Sequence, residues 1–449
     1  MKRELRILTP LGMLGYGFPI QWFEKGLEME PHAITVDAGS TDSGPQKLAL
    51  GLMTCSYEAY YEEIEILLLA GQRKHIPVFI SSAGGDGSNI HVDLFVQIVE
   101  DICAKHDLHL KLGVIYSEPG KDLIRERLKE GRISPCGPVP QLTEEDINDA
   151  TVIVAQMGVE PYLKMLDEHP DIDVIISGRT YDPVPIAAFG IKNGYDPALC
   201  WHMGKIMECG ALCATPAGKS ILGTLTEDSF TLEPLNPKER CTPYSVAAHT
   251  MYEKSHPYYL PGPGGRLDLS GCSFEQVNDR VVRVSGSRFE PTTYTVKLEG
   301  SKVAGERAIC VGGIRDPILI SQIDPFLDKV KKDVLEEYAE MGGVLLFHIY
   351  GKNGVMGVLE PNKDHVPLEL CVIIETVAPT EKIAINMCNR ARVNMLHYDY
   401  EGRIATAGNI ALPFTPLEIP LGKVCEFNVY HTMELNDSCE VFPMKVLEI

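Results

Sequence analysis

Pro77-Val78-Phe79-Ile80-Ser81-Ser82-Ala83-Gly84-Gly85-Asp86-Gly87-Ser88-Asn89 is the stretch that decides the fold. It opens as a short apolar run without polar alternation, which is how a strand covered on both faces reads. A glycine-rich turn follows, and Asn89 to Ala104 then reads as a helix. The same rhythm extends on either side. Leu5–Leu8 is strand-like and leads into Gly12-Met13-Leu14-Gly15-Tyr16-Gly17. Ala33–Asp37 ends in Ala38-Gly39-Ser40. Tyr57 to Leu69 carries Tyr60, Ile64, Leu67 and Leu68 at helical spacing. Leu108–Tyr116, Val152–Val154 and Val174–Ser177 read as three further strands. Strands alternating with helices predict crossover units and a parallel sheet. The expected fold is α/β, with a mostly parallel sheet flanked by helices in a Rossmann-like layering.

From about residue 225 the texture changes. Pro234–Gly271 is rich in Pro and Gly and reads as irregular loop. Half-exposed strands are expected at Val281–Val284 and Thr293–Val296, and further strands at Val344–Phe347 and Leu370–Ile374. Helices are expected over Ile323–Met341 and Pro379–Leu396. This divides the chain into an α/β ligand-binding domain, 1–225, and an α+β domain, 226–449, that begins with the Pro/Gly-rich loop.

The 449 residues carry 45% hydrophobic and 23% charged side chains, enough for large cores without disulfide or metal staples. A formal net charge of -21 argues against nucleic acid and anionic membranes as partners. An anionic ligand must therefore meet a local cluster of donors. The 13 cysteines form no Cys-x-x-Cys pair, as expected for reduced thiols in a cytoplasmic protein. No apolar window suggests a membrane span, and Met1-Lys2-Arg3 opens no signal-peptide pattern.

In parallel sheets ligands bind beyond the carboxyl ends of the strands. Those ends carry the chemistry here. Ser82, Gly84, Gly85, Asp86 and Asn89 form a turn whose backbone amides suit a carboxylate or phosphate; the plain alternative is a tight turn with Ser88 or Asn89 capping the helix. Gly12-x-x-Gly15-x-Gly17 inverts the order of the dinucleotide fingerprint and reads more simply as a strand-to-helix turn. Asp37 to Pro45, with Asp42, offers carboxylates and hydroxyls for sugar-like hydroxyls or a cation, or simply Asx turns. In Ser177-Gly178-Arg179-Thr180-Tyr181-Asp182, Arg179 can grip a carboxylate bidentately and Asp182 can pair with it or act as a base. Trp201 to Ala211 reads as a helix with His202, Lys205, Glu208 and Cys209 on neighbouring positions, an acid–base constellation or packed residues. Pro261–Arg266 is either a flap over the site or a surface loop. Lys352-Asn353-Gly354 reads as a hairpin turn.

In combination these elements resemble the acyclic terpene utilisation AtuA family, N-terminal-domain type, formerly a domain of unknown function. Members carry an Asn/Ser-Ala-Gly-Gly element (here Ser82–Gly85), a Thr/Ser-Gly-Arg-x-x-Asp element (here Ser177–Asp182) and a Glu-Cys-Gly-Ala element (here Glu208–Ala211). His256-Pro257-Tyr258 followed by Asp268-Leu269-Ser270-Gly271 fits as well. The resemblance is best over roughly residues 5 to 320. It implies catabolism of branched acyl-CoAs or carboxylates, and a separate small partner protein in a hetero-oligomer.

The resulting expectation is a cytoplasmic catabolic enzyme, a lyase of the hydratase or dehydratase type acting on a small polycarboxylate or an acyl-CoA. Asp182, His202 and Glu208 are the expected proton-transfer groups. Ser82, Gly84, Gly85, Asp86, Asn89, Arg179, Thr180 and Asp42 are the expected substrate contacts. No metal and no cofactor are expected beyond the CoA moiety of the substrate. The alternatives are a non-catalytic ligand-binding or scaffold subunit whose partner carries the chemistry, and a nucleotide- or metal-dependent enzyme.

Overall fold

A computed structural model describes residues 4–252 and 256–449; Met1–Arg3 and the segment 253–255 of the Pro/Gly-rich stretch lie outside the described residues. The chain divides into two compact units, one of Met1–Lys302 with Phe427–Ile449, the other of Val303–Glu426. The expected boundary at 225/226 falls inside the first unit, between the hydrogen-bonded strands Ile221–Leu225 and Ser229–Pro234.

The first unit is built on a mixed sheet of ten strands. Its centre is parallel, in the spatial order Leu5–Thr9, Ala33–Asp37, Val78–Ser81, Val174–Ser177, Lys111–Ile115. Antiparallel strands flank this centre: Ile221–Leu225, Ser229–Pro234, Val282–Ser285 and Ser273–Gln276 beside the first strand, Met444–Glu448 beside the last. The sheet is therefore mixed, where a mostly parallel one was expected. The flanking strands come from distant sequence, and single-strand patterns do not reveal long-range partners. The strand Val152–Gln156 stands outside this sheet. It pairs antiparallel with the start of Thr295–Ile314, Gln156 opposite Lys297 and Val152 opposite Ser301.

Side chains alternate across a strand, and the central strands bury both sides. Ile7, Phe79 and Ile175 join one core cluster with Tyr162, Met165 and Ile186. Leu8, Ile34, Val78, Ile80 and Ile176 join another with Tyr60, Ile64, Val92 and Phe95. The continuous apolar run at 78–80 follows from this two-sided burial. The helices behind these contacts start at defined caps: Ser56 accepts from the Ala59 amide ahead of Tyr57–Lys74, and Asp196 accepts from the amides of Ala198 and Leu199 ahead of Pro197–Met207.

The Pro/Gly-rich stretch is more ordered than its composition suggests. It contains a helix, Pro243–Thr250, with Pro243 in its first turn, and a hairpin of Tyr259–Gly262 and Gly265–Asp268. Pro and Gly act here as punctuation between short elements.

The second unit is α+β. Antiparallel strands Val344–Tyr350, Leu370–Ala378 and the later part of Thr295–Ile314 pack Cys310, Leu345, Val372 and Ile374 against Phe326, Val330, Met387 and Ala391 of the helices Ile323–Glu337 and Glu381–His397. Lys352-Asn353-Gly354 opens the long connection between the antiparallel strands Val344–Tyr350 and Leu370–Ala378. The amides of Asn353 and Gly354 fold back on the Ile349 carbonyl, and the next strand begins only at Leu370.

Two loops at the carboxyl ends of the parallel strands are locked together. The Ser82 amide donates to the Gly178 carbonyl (3.2 Å) and the Arg179 amide to the Gly87 carbonyl (3.1 Å). Ser117 bridges them, donating to Gly87 O at 3.0 Å and accepting from the Arg179 amide at 2.5 Å. Gly87 has φ +67°, and a Cβ there would overlap the Arg179 backbone. Gly87→Ala is expected to destabilise the protein by about 2–4 kcal/mol through strain and loop separation. Urea unfolding measures this; an unchanged midpoint would mean the loops do not depend on that contact.

Candidate functional site

A cavity of about 640 Å³ opens in the first unit beside these strand ends. Its polar lining includes Asp42, Arg179, Asp182, Lys205, Lys297 and Glu299, three cations and three carboxylates. Leu260, Pro261, Pro263, Phe427 and Tyr430 supply an apolar wall. In a chain of net charge -21, this local balance is what allows an anionic group to approach.

The guanidinium of Arg179, only 2% exposed, organises the polar side. Its Nε donates to Glu299 Oε2 (2.7 Å), and its Nη1 donates to Asp182 Oδ1 (2.9 Å) and to the Thr180 carbonyl (2.7 Å). Nη2 reaches Ser40 Oγ at 3.5 Å. Glu299 Oε1 takes Lys297 Nζ at 2.7 Å. Burial alone would raise the Glu299 carboxyl, but Arg179 and Lys297 outweigh it and hold it down at about 2. Further along, Lys205 Nζ donates to Glu208 Oε1 (2.7 Å), and the Cys209 thiol donates to Glu208 Oε2 (2.9 Å). Burial pushes the Lys205 ammonium down, yet the attraction of Glu208 more than restores it. Burial raises Glu208 to about 7, with Lys205 opposing and Asp182 adding to the rise. Burial likewise raises the Cys209 thiol, which stays a neutral donor.

Behind the main cavity, Asp37, Asp182 and Glu208 border a void of about 10 Å³ together with Thr9, Thr35 and Ser81. This is room for about one water. Asp37 ends the second parallel strand, where it accepts from Ser81 Oγ (2.7 Å) and the Gly39 amide (3.0 Å). Burial, and next the charge of Asp182, raise its carboxyl well above the usual range.

The expected site residues divide accordingly. Arg179, Asp182 and Asp42 line the cavity. Glu208 does not; it stands behind Lys205. The side chain of Thr180 is turned inward, bonded to Ser177 Oγ and the Gly178 carbonyl. Ser82, Gly84, Gly85, Asp86 and Asn89 are absent from the cavity wall. The Gly85 amide closes a turn onto Ser82 O. Asp86 is fully buried and accepts from Ser88 and from His91 Nδ1 (2.6 Å). The Asn89 amide donates to Glu118. This turn supports the site through Gly87 and does not face the cavity. His202 is fully buried elsewhere, with Nδ1 at Ser287 Oγ (2.7 Å) and Nε2 at Thr250 Oγ1 (3.2 Å), edge-on to Phe230 and Phe274. In the Gly12–Gly17 turn, the amides of Gly15 and Gly17 donate to the Glu63 carboxylate, so a protein side chain occupies the anion position. Pro261, Gly262 and Pro263, read as a flap or a surface loop, lie on the cavity wall.

Sequence reasoning missed Lys297 and Glu299. They alternate with Val296 and Leu298 on one strand, a pattern that normally marks a solvated face. Among the described residues no group of three or more His, Cys, Asp or Glu is arranged to hold a metal ion, and no helix is long and apolar enough to cross a membrane.

Fold and cavity thus define a mixed α/β protein with a charge-balanced ligand cavity beside its parallel strand ends. Residues 229–413 match the family described as acyclic terpene utilisation family protein AtuA, which bears out the resemblance over that segment. The match begins later than the 5–320 span where the resemblance reads best and shares only 229–320 with it; it includes the His256 and Asp268 motifs and leaves the Ser82, Arg179 and Glu208 motifs outside. No curated protein and no solved structure matches the chain.

Glu299→Gln removes the countercharge of a buried guanidinium, and a loss of about 3 kcal/mol or more is expected at pH 7. The depressed carboxyl of Glu299 contributes stability above the ordinary glutamate range, about 4.3, and that contribution is lost as pH falls toward about 2. The variant should therefore lose less stability than the native protein over that acid window. Urea titrations at pH 7 and pH 3 compare the two; equal acid sensitivity would remove the ion pair from this role.

Proposed function

We propose that this protein is a catabolic enzyme of the hydro-lyase type, acting on a small polycarboxylate or an acyl-CoA thioester. The observation that carries the reading is the cavity itself. Arg179, Lys297 and Lys205 border it together with Asp182, and Leu260, Pro261, Pro263 and Phe427 add apolar lining. The AtuA match supports a setting in acyclic-terpene catabolism.

In this reading the cations hold the carboxylate or thioester oxygen and stabilise the enolate charge that develops as an α-proton leaves. Asp182 takes that proton. The departing hydroxide is protonated from Lys205 and leaves as water. Glu208, behind Lys205, restores the lysine's proton. Asp37, which borders the same water-sized void as Asp182 and Glu208, relays the proton taken up by Asp182 to Glu208, and this resets both groups. Addition of water runs the same steps in reverse. His202, Thr180 and the Ser82–Asn89 turn support the reading only as packing that positions Arg179 and the helix of Lys205.

A thermal-shift screen of the full chain against carboxylates, hydroxy acids and acyl-CoAs tests binding first. A ligand at 100 times its dissociation constant should add about 2.7 kcal/mol of stability. With a substrate in hand, Asp182→Asn and Lys205→Met are each expected to lower kcat/KM about 100-fold or more. Full turnover in both would sink the reading. Tight binding of a second protein with no turnover by the isolated chain would favour a ligand-binding subunit instead. A second expectation concerns pH. Because Glu208 must be protonated to recharge Lys205, kcat/KM falls as pH rises through about 7, and Glu208→Gln removes that limb of the profile.

A further inference from the structure

A second cavity, of about 330 Å³, lies in the first unit and shares no lining residue with the one above. Trp22, Leu212, Gly218, Lys219, Asn236 and Glu239 are on its walls. The segment carrying Asn236 and Glu239 is held firmly. Arg280 donates from Nε to the Glu239 carbonyl (3.0 Å) and from Nη2 to the Asn236 carbonyl (2.9 Å) and that of Pro234. The Leu235 amide donates to Ser220 O at 3.0 Å, and Arg240–Cys241 pairs with Ala214–Thr215. The wall is therefore preformed.

Glu239 is 7% exposed. Its Oε1 accepts from Asn236 Nδ2 at 2.7 Å, while its Oε2 is buried without a hydrogen-bond partner. A buried carboxylate oxygen left unpaired is costly. Lys219 on the same wall does not relieve it, because its ammonium is committed to the carbonyls of Tyr16 and Gly17. Nor does Arg280, whose Nε and Nη2 donate to backbone carbonyls. Gly218 explains how the carboxylate fits. A Cβ there would overlap both Glu239 oxygens, so the missing side chain makes the room. Burial raises the Glu239 carboxyl, with Asn236 and Arg280 opposing, as expected of a carboxylate short of donors. On the lining of the same cavity the half-buried Trp22 offers an indole, the strongest aromatic partner for a cation.

We propose that this cavity binds a small organic ammonium compound, its N–H donors on the unpaired Glu239 oxygen and its charge against the Trp22 indole. The site is separate from the proposed lyase chemistry and does not rest on it. Net charge of the whole chain favours a cation, and the cavity volume admits a ligand the size of a short alkylamine or an amino acid.

Isothermal titration of the full chain with butylammonium chloride tests the idea, with butanol as the uncharged match and tetramethylammonium as a cation lacking N–H donors. Saturable binding of butylammonium is expected, weaker binding of tetramethylammonium, and none of butanol. Glu239→Gln keeps the shape and should weaken butylammonium binding roughly tenfold or more. Only two tryptophans are present, so an emission change on binding that disappears in Trp22→Phe locates the ligand. Absence of saturable binding, equal affinity in Glu239→Gln, or equal binding of butanol would overturn the proposal. A native-like melting curve for Glu239→Gln keeps the comparison valid, and Gly218→Ala, which crowds the same carboxylate, should weaken binding in parallel.

Discussion

The buried guanidinium of Arg179 is the constraint on which the rest of the site depends. A cation that is 2% exposed cannot stand in a protein interior without countercharge and satisfied donors. It obtains both from two places in the chain: the strand Thr295–Ile314, which carries Glu299, and its own loop, which supplies Asp182 and the Thr180 carbonyl. Its backbone is fixed by Gly87 and Ser117. Removing any of these partners leaves part of the charge uncompensated, so they form one cooperative unit. Electrostatic preorganisation of this kind is what a site needs if charge is to develop on a bound ligand.

The carboxylates around this cation are not equivalent. Glu299 is held low by two cations, Asp37 is pushed well above the usual carboxylate range by burial and by Asp182, and burial raises Glu208 to about 7. Neighbouring groups pushed toward opposite protonation states mark acid–base sites more often than structural ones. Asp182 bridges the sets, since it borders both the large cavity and the water-sized void. The thiol of Cys209 and the Lys205 ammonium complete the hydrogen bonding of Glu208, which fixes its orientation as well as its charge.

Much of the first unit was legible in the sequence because burial on both faces leaves a direct trace. The runs at 78–80 and 174–176 are apolar at every position, and each stops at a polar or glycine residue where the strand leaves the sheet. That logic points to Arg179, Asp182 and Asp42, which line the cavity. The Ser82–Asn89 turn lies off the cavity wall for a physical reason: glycine-rich turns serve tight packing as readily as ligand contact, and here Gly87 packs against the Arg179 backbone. His202 was a helical histidine whose buried partners, Ser287 and Thr250, lie far along the chain. Lys297 and Glu299 were invisible because an ion pair with a residue 120 positions away has no local signature. The antiparallel flanks of the sheet escaped for the same reason.

The sequence order of the two units has a consequence for biosynthesis. The second unit, Val303–Glu426, interrupts the first, which resumes at Phe427. Phe427, Tyr430 and Thr432 belong to the cavity wall, and Met444–Glu448 pairs with Lys111–Ile115. A ribosome therefore delivers Arg179 and its loops well before the residues that enclose them. The nascent first unit must wait, with one edge of its parallel sheet unpaired and its ligand chamber lacking a side, while a whole second body is made. An open strand edge is a template for wrong pairing. That edge stays open, and the cavity incomplete, until the segment from Phe427 onward has been made.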